Sequence, residues 1–235
     1  YCGLFWFSVS NIFLLGASGH LGSAISSKLI ESHHSFRAVP KHDLHCFLDY
    51  VSTLSSNTHS VFINCVGIVG NKNVRSHNLS EICFINSHVP RILSEIVSRT
   101  NSHLIHISTQ SIFEGNHTVS RNVESITCPQ TLYAFTKLLA EKYIMNNLSN
   151  SQYTIYRTPY HYSHRPSNRN ILFNIINLCF SANKFVCSRN ELFSAINVDH
   201  FSDLLLHNLR CPLGLVHVSE CDTFSWFDLY SVFHN

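Results

Sequence analysis

The sequence predicts an α/β fold, with a doubly wound parallel sheet over residues 1–158 and a smaller lobe over 159–235. Three observations lead there. The apolar run Ile12–Leu15 passes straight into GASGHLG (16–22), and apolar residues at helical spacing follow (Leu21, Ala24, Ile25, Leu29). Strand-like and helix-like segments then alternate as far as residue 158, as expected of parallel strands joined by crossover helices. Beyond it the texture changes to an aromatic, loop-like stretch, PYHYSHRPSNRN, before shorter elements resume.

Taken in order, strand one is expected at 11–15 and helix one at 20–31. A short second strand lies near 35–39 and is stopped by Pro40, which has no N–H for a sheet ladder. Residues 43–56 read as loop and weak helix. VFINCV (61–66) is the third strand, ending in Gly67. A helix near 79–99 is interrupted around Pro90. HLIHIS (103–108) is the fourth strand, 114–130 a polar loop, 131–148 a long helix and YTIYR (153–157) the fifth strand. After the loop at 159–170 come a helix around 171–182, short strands, a helix near 199–209, a strand at 216–218 and a terminal helix over 225–234. No internal repeat is visible.

Composition narrows the function. Hydrophobic residues make up 45% of the 235 and charged residues only 13%, so a large core is paired with a surface of Ser, Asn and His. The net charge is +2 and the cations are scattered, which argues against a nucleic-acid partner. Nine cysteines occur without a Cys-x-x-Cys pair, and several (Cys65, Cys83, Cys179) lie in apolar segments. They read as reduced, mostly buried thiols of a cytoplasmic protein. The seventeen histidines show no metal-ligand spacing with an acid, so no metal is expected. No apolar run reaches the length of a membrane span. The opening YCGLFWFSVS has no basic leader and meets the first strand at once, poor form for a signal peptide. The sequons at Asn78, Asn116 and Asn147 are chance matches in an Asn- and Ser-rich chain.

Three sets of residues carry chemistry. The glycines of GASGHLG allow a tight turn and a close backbone approach to a pyrophosphate at a helix N-terminus, which points to a dinucleotide. Tyr133 and Lys137 stand four apart on the long helix and share a face. A lysine ammonium there favours the phenolate and lowers the phenol's pKa, preparing Tyr133 to protonate a carbonyl oxygen. STQSIFEG (108–115) closes strand four at the carboxyl edge of the sheet, where a hydroxyl can bond a substrate carbonyl. The region after strand two has no acid before Asp43 but does have Arg37 and Lys41, which suits the 2′-phosphate of NADPH better than NADH.

With these motifs in this order, the chain resembles an extended short-chain dehydrogenase/reductase with a Rossmann-type fold, and within that superfamily the dTDP-4-dehydrorhamnose reductase group of sugar-nucleotide reductases. GASGHLG resembles the group's cofactor turn, with His20 where glutamine is usual. INCVG (63–67) resembles its third-strand motif, ISTQSIFEG (107–115) its Ser-Thr-Asp-Tyr-Val-Phe-x-Gly, YAFTK (133–137) its Tyr-x-x-x-Lys, and Arg157-Thr158 the end of its strand five. SAINVDHFSDLLL, GLVHVS and SWFDL resemble segments of its substrate lobe more loosely.

By position the resemblance implies Thr109, Tyr133 and Lys137 as the catalytic triad. It implies Gly16, Ser18, Gly19, His20, Leu21 and Gly22 as the dinucleotide cradle. Arg37, Asp43 and Leu44 fall near the adenosine end, and Cys65, Val66 and Gly67 along the adenosine and ribose path. Asn86, Ser108, Tyr133 and Lys137 complete the NADPH (or NADH) site, and Gln110, Ser111 and Phe113 lie by the substrate. The implied reaction is reduction of the C4 ketone of a nucleotide-linked 4-keto-6-deoxy sugar, in deoxysugar and surface-polysaccharide synthesis. The implied assembly is a homodimer.

Gln110 and Ser111 stand where the group has aspartate and tyrosine. Neither is a useful base, which argues against the dehydratases of the superfamily. An NAD-dependent epimerase using the same triad, a non-catalytic NADP-binding regulatory subunit or an inactive truncated homologue stays open. The chain ends soon after SWFDL, where the group usually continues for several dozen residues, so a shortened lobe is expected.

Overall fold

Alternation along β1 (Asn11–Leu15) sends Ile12 and Leu14 to one face and Phe13 and Leu15 to the other, and all four are buried. A strand buried on both faces needs helices on both sides. The computed structural model describes residues 11–69, 78–113, 121–165, 170–181, 187–220 and 222–234. The opening YCGLFWFSVS, the first part of the polar loop at 114–130, Gly115 of the strand-four motif and the Asn116 sequon lie outside the described residues.

The elements in chain order are β1, α1 (His20–Glu31), β2 (Phe36–Val39), a 3₁₀ turn (Lys41–Asp43), α2 (Leu44–Ser52) and β3 (Ser60–Asn64). Then come α3 (Leu79–Cys83), a π-helical turn (Phe84–His88), α4 (Val89–Ser98), β4 (His103–Thr109), a 3₁₀ turn (Gln110–Ile112), α5 (Leu132–Asn147) and β5 (Tyr153–Thr158). The rest is β6 (Tyr160–Tyr162), α6 (Ile171–Ser181), β7 (Leu192–Asn197), α7 (Val198–His207), β8 (Gly214–His217), β9 (Thr223–Ser225) and α8 (Trp226–His234).

Six strands form one parallel sheet in the order β2-β1-β3-β4-β5-β8. Strand order reverses between β1 and β3, so the crevice at their carboxyl ends is the switch point where ligands of such sheets bind. One face packs on α1 and α7 through Leu21, Ile25, Leu29, Phe201 and Leu205; the other packs on α2, α4 and α5 through Phe47, Val51, Leu93, Val97 and Ile144. A second sheet, β6-β7-β9, adjoins an apolar cluster of Ile171, Ile175 and Phe193.

Several elements differ from the sequence reading. The break in the 79–99 helix is a π-helical turn over Phe84–His88 that precedes Pro90. Residues 160–162, read as loop, form β6 because they find a parallel partner in β7, far along the chain. The chain after 158 also returns to the large sheet, where β8 pairs with β5 and α7 packs beside α1. Of the six cysteines whose side chains are described, Cys46, Cys128 and Cys211 are exposed and none is fully buried, so for these the expectation of mostly buried thiols is corrected. Helix α1 ends with His33 at φ 55°, where His33 N–H bonds Ile30 O at 3.0 Å and His34 N–H bonds Leu29 O at 2.8 Å. This Schellman closure normally takes glycine.

His103 opens β4 between Leu209 O and Thr154 Oγ1, at 3.3 and 3.2 Å. Burial lowers its pKa to about 4. A histidine kept neutral in the fold but titrating near 6.5 when unfolded contributes stability that is whole above 6.5 and is lost as pH falls toward 4. His161 and His106 shift the same way. Unfolding free energy, and with it the urea midpoint, is expected to fall steadily below pH 6.5, by up to about 2 kcal/mol at pH 5 from His103 alone. His103→Gln should flatten part of that slope.

Candidate active site

The glycine turn is shaped by contact with the end of β3. Gly16 has φ +84°, and a β-carbon on it would lie 3.0 Å from the main chain of Cys65 and Val66. A β-carbon on Gly22 would lie 2.1 Å from Gly16 O, which no side chain can tolerate. The turn is closed by Gly19 N–H bonding Gly16 O at 2.9 Å. Gly19 is the N-cap of α1 and supplies no side-chain cap to the first backbone N–H groups of the helix. Ser18 is exposed on the turn.

A cleft opens at this point, lined by Gly19, His20, Leu21, Gly22, Cys65, Val66, Gly67, Val69, Ile107, Ser108, Thr109, Tyr133, Lys137, Thr158 and His161. Elements distant in sequence therefore converge on one place: the turn after β1, the ends of β3, β4 and β5, and the first turns of α5. Thr131 caps α5 by accepting Ala134 N–H at 3.1 Å, which sets Tyr133 in the first helical turn, facing the end of β4. Thr109 ends β4; its hydroxyl accepts Ser111 N–H and donates to Ser111 Oγ, each at 3.1 Å.

The electrostatics correct one expectation. Burial raises the Tyr133 pKa to about 12, with a hydrogen bond shared with the Thr109 side chain pulling the other way. Lys137 does not lower it. The lysine, 3% exposed, donates to Ile107 O at 2.5 Å and meets His106 Nε2 at 3.1 Å. Its own pKa falls to about 8 because burial outweighs the pull of Glu141 and Cys65. Four residues apart on a helix guarantees a shared face; the deep β4 main chain decides where the ammonium goes.

Other residues are placed away from the cleft lining. Asn86 is fully buried: its Oδ1 accepts Ile68 N–H at 2.8 Å, and its Nδ2 donates to Ile68 O at 3.2 Å and Thr136 Oγ1 at 3.1 Å. It clamps the loop after Gly67 onto the π turn and α5. Leu44 is 1% exposed in the core, and Asp43 is exposed at the start of α2. Arg37 is exposed on β2, its guanidinium 5.8 Å from the Tyr50 ring centre, and Lys41 pairs with Glu81 at 2.8 Å. Ser108 lines the cleft, but its hydroxyl donates to buried Glu141.

The expected substrate residues separate. Gln110 Oε1 accepts Ser194 Oγ–H at 3.3 Å, joining the β4 edge to the small sheet, and Ser111 is exposed. Phe113 packs against β5 and β8. Its ring lies 5.5 Å from the His217 ring and 5.3 Å from the Arg157 guanidinium, because a cation on the ring face and an edge-on imidazole hold it at β5 and β8. The sequence reading missed Thr158, His161 and Val69 in the cleft and His106 behind it. His106 did leave a signal, as a histidine within an otherwise apolar strand. Among the described residues no cluster of three or more His, Cys, Asp or Glu could hold a metal. Among them, too, no helix is long and apolar enough to cross a membrane.

Comparison with known proteins bears on this geometry. Residues 10–235 match the family model described as RmlD substrate binding domain. The spore coat polysaccharide biosynthesis protein SpsK of Bacillus subtilis (strain 168) is 25% identical over 131 residues, which is 56% of this chain and 45% of that protein. A probable dTDP-4,6-dihydroxy-2-methyloxan-3-one 4-ketoreductase of Streptomyces antibioticus is 21% identical over 225 residues, 92% of this chain and 73% of that protein. The structure of dTDP-4-dehydrorhamnose reductase from Bacillus anthracis str. Ames, in complex with NADP, superposes with a TM-score of 0.79 at 17% identity. It covers 95% of this chain and 79% of that one, a likeness of fold. The chain thus spans just under half the length of the first of these relatives.

Proposed function

This chain belongs to the RmlD substrate binding domain family, and from that premise we propose that it is an NAD(P)H-dependent reductase. Its substrate in this reading is the C4 ketone of a nucleotide-linked 4-keto-6-deoxy sugar. The observation that carries the reading is the convergence of Thr109, Tyr133 and Lys137 on the cleft that the glycine turn opens. Relatives named for polysaccharide biosynthesis and for 4-keto reduction support it.

The residues present fit a dinucleotide. Gly16 and Gly22 leave no room for side chains where the turn meets β3 and α1, and the α1 N-terminus, which has no side-chain cap, directs its backbone N–H groups toward a pyrophosphate. Bound there, NADPH supplies the hydride for the ketone carbon. Arg37 is the cation nearest in role to a 2′-phosphate, since Lys41 is already paired with Glu81. Tyr133 holds its proton firmly at neutral pH and delivers it to the carbonyl oxygen as negative charge develops there. Thr109 orients that oxygen through its hydroxyl.

The division of labour follows the sheets. Residues 1–158 with α7 and β8 carry the dinucleotide, and β6, α6, β7, β9 and α8 make the sugar-facing lobe. A cytoplasmic setting suits the free cysteines, and a homodimer is the assembly proposed with it. The test is NADPH consumption against a panel of nucleotide 4-keto-6-deoxy sugars. Turnover of a panel member is the expected result. Folded protein that binds NADPH and reduces none of them overturns the reductase reading in favour of a cofactor-binding subunit.

A further inference from the structure

Behind Lys137 lies a hydrogen-bond chain that the proposed chemistry does not use. Asn64 of β3, His106 of β4 and Lys137 of α5 are 0%, 1% and 3% exposed. Asn64 Oδ1 accepts Val66 N–H at 3.2 Å, which fixes the orientation of the amide. Its Nδ2 therefore faces His106 Nδ1, at 3.1 Å. An amide nitrogen only donates, so Nδ1 is the acceptor. His106 is neutral, because burial holds its pKa well below 6.5. Its one ring proton accordingly sits on Nε2.

Nε2 lies 3.1 Å from Lys137 Nζ. An ammonium has three donors and no acceptor, so Nε2–H would meet it donor to donor. A neutral amine has a lone pair, and then every group is matched. Asn64 donates to His106, His106 donates to Lys137, and Lys137 donates to Ile107 O at 2.5 Å. The alternative, an ammonium donating to Nε2, moves the ring proton to Nδ1. It turns the Asn64 amide over and leaves Val66 N–H facing an amide NH₂. Other charged or titratable groups facing Lys137 are Glu141 and Tyr133 on α5 and Cys65 after β3. Glu141 is itself paired with Arg157 of β5. None of these gives the amine lone pair a donor as His106 does.

The geometry points to His106 as a positioning residue. Locked by Asn64 in its Nε2–H tautomer, it stabilises the deprotonated amine of Lys137 and so lets that lysine return a proton to Tyr133 after each reduction. The balance is simple. Hydride reaches carbon and Tyr133 gives its proton to oxygen. The lysine ammonium then restores the phenol through a hydroxyl or water in the cleft, becomes the amine that His106 receives, and regains its proton from solvent.

This inference rests on the reductase reading for its turnover, but its first test does not. Long-range ¹H–¹⁵N spectra of histidine-labelled protein read the tautomer directly, with the His106 signal identified by its loss in His106→Gln. The expected result is a neutral ring with its proton on Nε2 at pH 9. Its shifts should follow a titration near pH 8 that disappears in Lys137→Met. A proton on Nδ1 at pH 9, or shifts indifferent to Lys137, overturns the proposal.

Asn64→Asp is the kinetic counterpart. Its second carboxylate oxygen demands Nδ1–H, so Nε2 becomes an acceptor for the ammonium. The alkaline limb of kcat should then move up by about one pH unit or more. A merely structural role would lower kcat equally at every pH, and that result also overturns the proposal. The coupled tautomer without turnover of any nucleotide sugar overturns the reductase reading and leaves the lock itself standing.

Discussion

Tyr133→Phe is expected to lower kcat by about 10²–10⁴-fold, the range for loss of a positioned general acid. Dinucleotide affinity should stay nearly unchanged. The phenol reaches the cleft from the first turn of α5, whose cap and buried face (Ala134, Thr136, Ala140) do not depend on the hydroxyl, so the variant should fold. Because burial holds the wild-type phenol near 12, the lost group is a proton donor across the whole working pH range. The measurement is steady-state NADPH oxidation with the best sugar nucleotide, beside a binding titration of NADPH. Unchanged turnover would remove Tyr133 from the chemistry and with it the reductase mechanism.

The largest effect on stability is expected at the Arg157–Glu141 pair. Glu141 is fully buried and Arg157 is 4% exposed. Nη2 donates to Oε2 at 2.8 Å and Nε to both carboxylate oxygens at 3.1 and 3.2 Å, while Ser108 adds a further bond to Glu141. The pair joins α5 to β4 and β5, and Arg157 Nη1 also donates to Val123 O at 3.3 Å. Removing one partner strands the other charge in the interior, at a cost of about 3–5 kcal/mol. Arg157→Met and Glu141→Leu should each show that loss in urea unfolding. The double variant should recover much of it, since a buried ion pair replaced by apolar groups of similar size is often nearly neutral. A double variant as unstable as the sum of the two singles would contradict this account.

The parts of the site that were legible are those whose demands are local. The GASGHLG turn declares itself because a strand, a tight turn and a helix start follow within a dozen residues, and only glycine fits at Gly16 and Gly22. Tyr133 and Lys137 share a face because the helix repeat requires it. The termini of β1, α1 and α5 follow from apolar periodicity and from caps such as Thr131. Phe113 was not legible as a packing residue, since its neighbours Arg157 and His217 come from strands 44 and 104 positions further on. Nor was the return of β8 to the large sheet, because a short, half-buried strand carries no mark of which edge it will join.

By itself, then, the sequence determined the doubly wound sheet, the place of the dinucleotide turn, and the order of hydroxyl, phenol and amine along the chain. These are properties of neighbours, written in spacing and residue type. The tertiary structure alone decided what those groups meet. It gave Lys137 to Ile107 O and His106 rather than to Tyr133, held Asn86 as a clamp, and set Arg157 between Glu141 and Phe113. The reason is physical: hydrogen bonds and ion pairs in a buried site are settled by desolvation and by which strands lie side by side, and neither is a local property of the chain.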